Sequence, residues 1–146
     1  MQWERSAARA RQSGFTLLEV IVVVVIIGIL AAAVGRNIFG GVEKAYRNRV
    51  LQDIKTIEGA LTEYRLDNFN FPTSEQGLRA LVERPNDPNL TQYNDEGYLD
   101  SMPEDPWGNE YVYLIPGQRG KFDLYSLGRD GQQGGEGEDA DIGNWD

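Results

Sequence analysis

Residues 15–34 form a run of twenty that carries one charge, Glu19, among Val, Ile, Leu, Ala and Gly, with Thr16 as the only other polar side chain. Wound as a helix, about 20 residues rising about 1.5 Å each match the hydrocarbon thickness of a bilayer. No other feature restricts the fold as much, because a helix apolar on every side cannot lie on the surface of a water-soluble domain. A carboxylate inside such a segment costs about 2.5–3.5 kcal/mol on insertion scales, so it calls for a partner. Glu19 is therefore a candidate functional residue. The competing reading is a plain anchor from which Glu19 snorkels to the interface.

The residues at the head of this run, Ser13-Gly14-Phe15-Thr16-Leu17-Leu18-Glu19, resemble the prepilin peptidase site of type IV pilins and of the pseudopilins of type II secretion systems. The resemblance implies a leader of residues 1–14 cut between Gly14 and Phe15, N-methylation of Phe15, and a part for Glu19 in assembly. Physical chemistry agrees with that part. Cleavage leaves an ammonium at Phe15 on the edge of an apolar helix, and opposite charges taken out of water stabilise each other only when closely paired. Glu19 of one subunit can supply the pair for Phe15 of another. An ordinary secretory signal ending in Ala31-Ala32-Ala33 is the other processing reading, although the apolar run exceeds the usual 7–15 residues of such signals.

A leader of net charge +2 (Arg5, Arg9 and Arg11 against Glu4) takes the side-chain charge from −9 to −11 on removal. Phosphate recognition needs a basic face, so this acidity argues against nucleic acid. The 146-residue chain has no Cys and no His, which excludes disulfide scaffolds, thiolate nucleophiles, Ser-His-Asp machinery and ordinary zinc sites. Arginines precede the apolar run, but Arg36, Lys44, Arg47 and Arg49 follow it, so the positive-inside rule leaves the orientation open. The resemblance settles it by implication, since the family's peptidase works at the cytoplasmic face. Three parts follow: leader 1–14, a transmembrane and filament-core helix 15–34, and one small periplasmic domain 35–146.

Beyond Val34 the pattern turns amphipathic. Val42, Tyr46, Val50, Ile54, Ile57, Leu61 and Tyr64 recur at spacings of three and four, which predicts one buried helical face. Lys44, Arg47, Asp53, Lys55, Glu58, Glu63 and Arg65 fall on the solvent side. One helix is expected from about residue 15 to about residue 66, on the order of 75 Å long, with Gly35 and Gly40-Gly41 as points where it loosens. Asp67-Asn68 and Phe71-Pro72 end it. Thr73-Ser74-Glu75-Gln76 reads as a capping box before a short helix through Leu78, Leu81 and Val82, and residues 84–94 read as loop. Tyr111–Ile115 and Phe122–Leu127 are strand candidates joined by a hairpin-like turn at Pro116–Gly120, and a weakly marked strand lies near Gly97–Met102. Trp107 and Trp145 are expected in the core and not as sugar-stacking platforms.

Phe71-Pro72-Thr73, Asp105-Pro106-Trp107-Gly108, Ser126-Leu127-Gly128 and Asp141-Ile142-Gly143-Asn144-Trp145 also resemble segments of major pseudopilins, so the likeness covers nearly the whole mature chain. It implies an α+β, pilin-like fold: a long N-terminal helix, as anchor and spine, packed on a small antiparallel sheet with a C-terminal metal-binding loop. From Asp123 to Asp146 the chain has seven acidic residues against Arg129 alone, and glycines at 128, 131, 134, 135, 137 and 143. Composition by itself fits a solvated tail. Against that, the segment leaves a strand and ends in Ile142 and Trp145, which can dock. Calcium suits it, taking six to eight oxygens with tolerant geometry. The twelve residues Asp130–Asp141 make a poor EF-hand loop, since Gln132 and Gly134 stand where Asp or Asn is wanted. The stronger ground is the resemblance, which implies calcium held by the Asp130 side chain, the Leu127 carbonyl and a second aspartate, either Asp139 or Asp141, with Gln132 as a further carbonyl candidate.

The expected function is structural: a subunit, not an enzyme, that polymerises through its N-terminal helix. The resemblance implies a homopolymer with minor pseudopilins, built by an inner-membrane assembly platform after prepilin peptidase processing, in a periplasmic pseudopilus that helps export folded proteins across the outer membrane. A type IV pilin-like filament subunit is the nearest alternative, although such pilins often close their C-terminal region with a disulfide. A secreted calcium-dependent binding module would require cleavage after Ala33, and a two-carboxylate glycosidase has no singled-out pair.

Overall fold

The computed structural model describes residues 16–146. Helix α1, Leu17–Asn68, runs 52 residues. Its first turn is capped: the Thr16 hydroxyl accepts the Glu19 backbone N–H at 3.2 Å, and an acidic residue in this turn suits the positive end of the helix dipole. The Thr-x-x-Glu spacing that marks a helix start is thus present at Thr16–Glu19 as well as near Thr73. The helical backbone passes Gly35 and Gly40-Gly41 unbroken. The division of the chain into two compact units nevertheless falls at the glycine pair, with residues up to Gly40 in one and Gly41–Asp146 in the other. The helix ends two residues beyond the expected Leu66. Asn68 Nδ2 donates to the Tyr64 carbonyl at 3.0 Å, and Phe69 takes a left-handed φ of 65° that halts the spiral.

In the second unit one face of α1 forms the floor of the core. Val50, Ile54, Ile57, Leu61 and Tyr64 are buried as their spacing predicts, whereas Val42 and Tyr46 stay exposed. Each fully buried aliphatic side chain contributes about 1.5–3 kcal/mol. They pack against Leu78, Leu81, Leu90, Tyr93, Tyr111, Tyr113, Leu124 and Ile142. Residues placed on the solvent side by periodicity tie later segments to the helix. The Tyr111 hydroxyl donates to Asp53 at 2.9 Å, Asn144 Nδ2 donates to Glu58 at 3.3 Å, and Arg47 pairs with Asp146 at 3.1 Å.

The sheet has the order β1-β2-β3, with β1 Val112–Leu114, β2 Asp123–Ser126 and β3 Ile142–Gly143, antiparallel throughout. Two of these strands lie where expected. The third differs: residues 97–102 form no strand, because the Tyr98 and Leu99 amides donate to the Leu81 carbonyl at 2.7 and 2.9 Å. The two residues Ile142–Gly143 take the third place, opposite Tyr125 and Ser126. The capping box forms reciprocally, Thr73 N–H to Gln76 Oε1 at 2.9 Å and Gln76 N–H to Thr73 Oγ1 at 3.2 Å. It closes a turn, and a 3-10 helix, Leu78–Leu81, follows Gly77, whose φ of 59° interrupts the helix expected to run straight on. Trp107 and Trp145 are half-buried at the core margin and not inside it. Trp107 meets Tyr46 edge-on at 5.7 Å, and Trp145 lies beneath Arg119 at 3.7 Å.

Candidate functional site

Two regions carry the functional residues read from the sequence. In the first, twelve large apolar side chains from Leu17 to Leu30 are all exposed, from 48% at Val22 to 78% at Leu17. They occupy every side of the helix, and no described residue of their own unit covers them. Glu19, also exposed, is the one charge among them. The processing residues Gly14 and Phe15 lie outside the described residues. Among the described residues no helix is long and apolar enough to cross a membrane; the apolar side chains described there run from 17 to 32, and the expected span of 15–34 extends past both ends.

The second region is the loop between β2 and β3. Its neck is built at Gly128, whose φ is +68°. A Cβ on this residue would meet the Ala140 carbonyl oxygen at 2.8 Å and the Asp139 carbonyl carbon at 2.9 Å. Only glycine lets the two ends of the loop cross this closely. The Arg129 N–H donates to the Glu138 carbonyl at 3.0 Å, and its guanidinium pairs with Asp139 at 2.9 Å and also with Glu138. These carboxylates raise the Arg129 pKa, Asp139 foremost. Further out, Gly134 and Asp141 exchange two bonds: Asp141 N–H to the Gly134 carbonyl at 3.1 Å and Gly134 N–H to Asp141 Oδ2 at 3.0 Å. Asp130 is exposed and accepts the Gln132 N–H at 3.0 Å.

The candidate metal ligands thus stand in unlike surroundings. Asp139 is engaged by Arg129. Asp141 Oδ1 is buried without a hydrogen-bond partner, a state that costs free energy unless a proton donor or a cation compensates it. Among the described residues no three acidic side chains converge into a cage, so a hard cation here would draw largely on carbonyl oxygens, which calcium accepts. The Asp141 oxygen is the observation in this loop that fits a cation.

Sequence reasoning missed the burial of two carboxylates, Asp123 and Asp105; the second bears on the loop. Asp105 is 4% exposed. Its Oδ1 accepts the Trp107 and Asn109 backbone N–H groups at 3.0 and 2.8 Å, while Oδ2 accepts the Ser126 hydroxyl at 2.7 Å and Asn109 Nδ2 at 3.4 Å. An Asp-Pro-x-Gly run is a turn in which aspartate bonds its own backbone two residues on, so the turn was readable. Its partner Ser126, 21 positions away, was not.

Residues 37–145 match the family described as Type II secretion system (T2SS), protein G. The chain belongs to this family. Residues 9–35 match the prokaryotic N-terminal methylation motif. The chain is 54% identical over 135 residues to the type II secretion system core protein G of Vibrio cholerae, covering 92% of each chain. It is also 54% identical over 139 residues to that of Pseudomonas aeruginosa, covering 94% of this chain and 98% of the relative. The crystal structure of the major pseudopilin from the type 2 secretion system of enterohaemorrhagic Escherichia coli superposes with a TM-score of 0.66 at 46% identity, over 73% of this chain and 87% of that one. The pilin-like α+β fold and the resemblance read from the sequence are borne out, and the family is one of structural pseudopilins.

Proposed function

We infer that this chain is a structural subunit of a type II secretion pseudopilus that polymerises through the first half of α1. The observation that carries this reading is the exposed apolar surface from Leu17 to Leu30, far larger than a soluble monomer tolerates. Lipid covers that surface before assembly, and the same segment of other copies covers it afterwards. The subunit is held in the inner membrane by residues 15–34 with residues 35–146 in the periplasm, after prepilin peptidase has cut between Gly14 and Phe15. The Phe15 amine of one copy pairs with Glu19 of another, and minor pseudopilins and the inner-membrane platform are the further partners. The test is Glu19→Ala. The variant should insert and be processed to an N-terminus at residue 15, yet form no filaments visible by electron microscopy when overproduced. Abundant normal filaments would remove the charge-pair mechanism.

The C-terminal loop takes calcium in this reading, through Asp130 and Asp141 side chains and the Leu127 carbonyl, with Gln132 as a further carbonyl and Asp139 retained by Arg129. Calcium supplies the positive charge that offsets the loop's carboxylates. Support comes from the unpartnered Asp141 oxygen. A ligand that binds only the folded form stabilises it by about 2.7 kcal/mol at a hundredfold excess over its Kd. Asp141→Asn should abolish that gain in thermal melts with calcium against chelator, whereas Asp139→Asn should lower both curves and keep the gain. The reverse pattern would make Asp139 the ligand.

A further inference from the structure

Asp105, Ser126 and Asn109 form a chain of hydrogen bonds that leaves the domain interior and ends on the first residues of the C-terminal loop. Asp105 is fixed by its own turn: its carboxylate accepts two backbone N–H groups at Oδ1, its N–H donates to the Asn109 carbonyl at 3.0 Å, and its carbonyl accepts from Gly108 at 3.0 Å. Oδ2 faces Ser126, which is fully buried, and accepts the hydrogen bond of its hydroxyl at 2.7 Å. With that proton committed, Ser126 Oγ has only lone pairs left to offer. It accepts the Gly128 N–H at 3.1 Å. Asn109 Nδ2 reaches the next peptide and donates to the Gly128 carbonyl at 3.4 Å. Two successive peptide planes of the loop are therefore held by groups outside it.

The consequence comes from peptide planarity. A trans peptide points its N–H and its C=O in opposite directions, and the plane resists twisting. The only cis bond among the described residues is Ile115–Pro116. Since Gly128 N–H is aimed inward at Ser126, the Leu127 carbonyl on the same plane is aimed the opposite way. We propose that Asp105, acting through Ser126, is the positioning residue that orients the Leu127 carbonyl, and that it thereby sets one oxygen of the metal site in the loop. The metal part rests on the calcium reading above; the orientation of the peptide does not. The arrangement makes the site a junction between the Asp105-Pro106-Trp107-Gly108 turn and the loop, although no side chain of that turn is itself a ligand.

Two variants test this in the full chain, held in detergent micelles. Ser126→Ala removes the bridge and leaves every other Asp105 bond in place; Asp105→Asn keeps the shape and turns an acceptor into a donor facing Ser126. Ser126→Thr retains the hydroxyl and serves as the rescue. Titration with calcium chloride by calorimetry should show at least tenfold weaker binding for Ser126→Ala and Asp105→Asn than for the unaltered chain, and recovery in Ser126→Thr. Hydrogen exchange in calcium-free buffer should show the Gly128 amide exchanging at least tenfold faster in the first two variants, while the amides of Val50 to Leu61 keep their protection. A merely structural role would lower protection throughout and leave the calcium affinity of the folded fraction unchanged. Exchange at Gly128 within twofold of the unaltered chain would overturn the proposal. Faster exchange with undiminished affinity would overturn its link to the metal. No calcium heat from the unaltered chain would overturn the calcium reading itself, and the exchange data would still decide the orientation of the peptide. If Asp105→Asn does not fold, Ser126→Ala carries the test alone.

Discussion

The two ends of α1 are both helical and both rich in branched apolar residues, yet they solve opposite problems. From Val50 to Tyr64 charged residues alternate with the apolar stripe, so a single face needs cover, and later segments of the same chain supply it. From Leu17 to Leu30 no polar face exists. A segment of one chain covers one side of such a helix and leaves the others wet, so its cover must surround it, as lipid or as several copies of itself. Where the charges fall decides whether the same backbone geometry produces a domain core or an assembly surface. Hydrophobicity alone does not.

That contrast is most easily broken by truncation. Leu61→Ala, at a position with no exposure, should lower the stability of the second region by about 2–5 kcal/mol in urea unfolding of the full chain in detergent. Val24→Ala should leave that transition unchanged and reduce filament yield instead. Equal shifts from both would mean that the two regions unfold as one. Glycine to alanine sharpens the comparison at lower cost. At Gly128 the left-handed φ and the crowding by Asp139 and Ala140 should make Gly128→Ala destabilising by about 1–3 kcal/mol. At Gly28, where a Cβ meets nothing within 4 Å, the same change should be neutral or favourable by up to about 1 kcal/mol through helix propensity. Destabilisation at Gly28 in the detergent-bound chain would point to close packing around it.

The smallest effect is on pH dependence. Burial raises the phenol of Tyr64 to about 12, with help from Tyr98, Asp87 and Tyr93. Burial also raises Tyr111, where the Asp53 hydrogen bond adds to it, and Tyr113. A group held protonated in the folded state stabilises it fully below the unfolded value of 10.0 and loses that contribution as pH rises toward the folded one. Melting temperature should be level from about pH 7 to about pH 9 and fall steadily above about pH 10. All of these tyrosines belong to the second region, so helicity in residues 17–32, followed by circular dichroism of the detergent-bound chain, should not follow the decline. A melting temperature that holds through pH 12 would contradict the burial of these hydroxyls.

Features set by neighbours in sequence were readable in advance: the apolar run, the buried face of α1 from Val50 onward, the Thr73–Gln76 box and two strands. Each depends on spacings of two, three or four residues. Val42 and Tyr46 continue the same stripe but stay exposed, with Trp107 reaching only the edge of Tyr46, so periodicity overran the core by one stretch. Strand β3 escaped because two residues carry no period, and its place was given to residues 97–102, which the Leu81 carbonyl holds instead. At the candidate site, composition picked out the acidic loop, and resemblance named Leu127, Asp130, Gln132, Asp139 and Asp141. Nothing in spacing distinguished Asp139, held by Arg129, from Asp141, with its lone oxygen. Asp105 and Ser126 meet across 21 positions, and pairings at that distance are set by topology.

The crossing of Gly128 with Asp139 and Ala140 also bears on how such chains can change length. Closing a flexible loop costs entropy that grows only with the logarithm of its size, so doubling the residues beyond a fixed crossing adds about 0.6 kcal/mol. The strands on either side, Asp123–Ser126 and Ile142–Gly143, are insulated from what happens past that crossing. A change of length between Arg129 and Glu138 therefore leaves the register of the sheet intact and falls instead on Asp130, Gln132 and the Gly134–Asp141 pair, so such a change separates the loop's ion binding from the integrity of the fold.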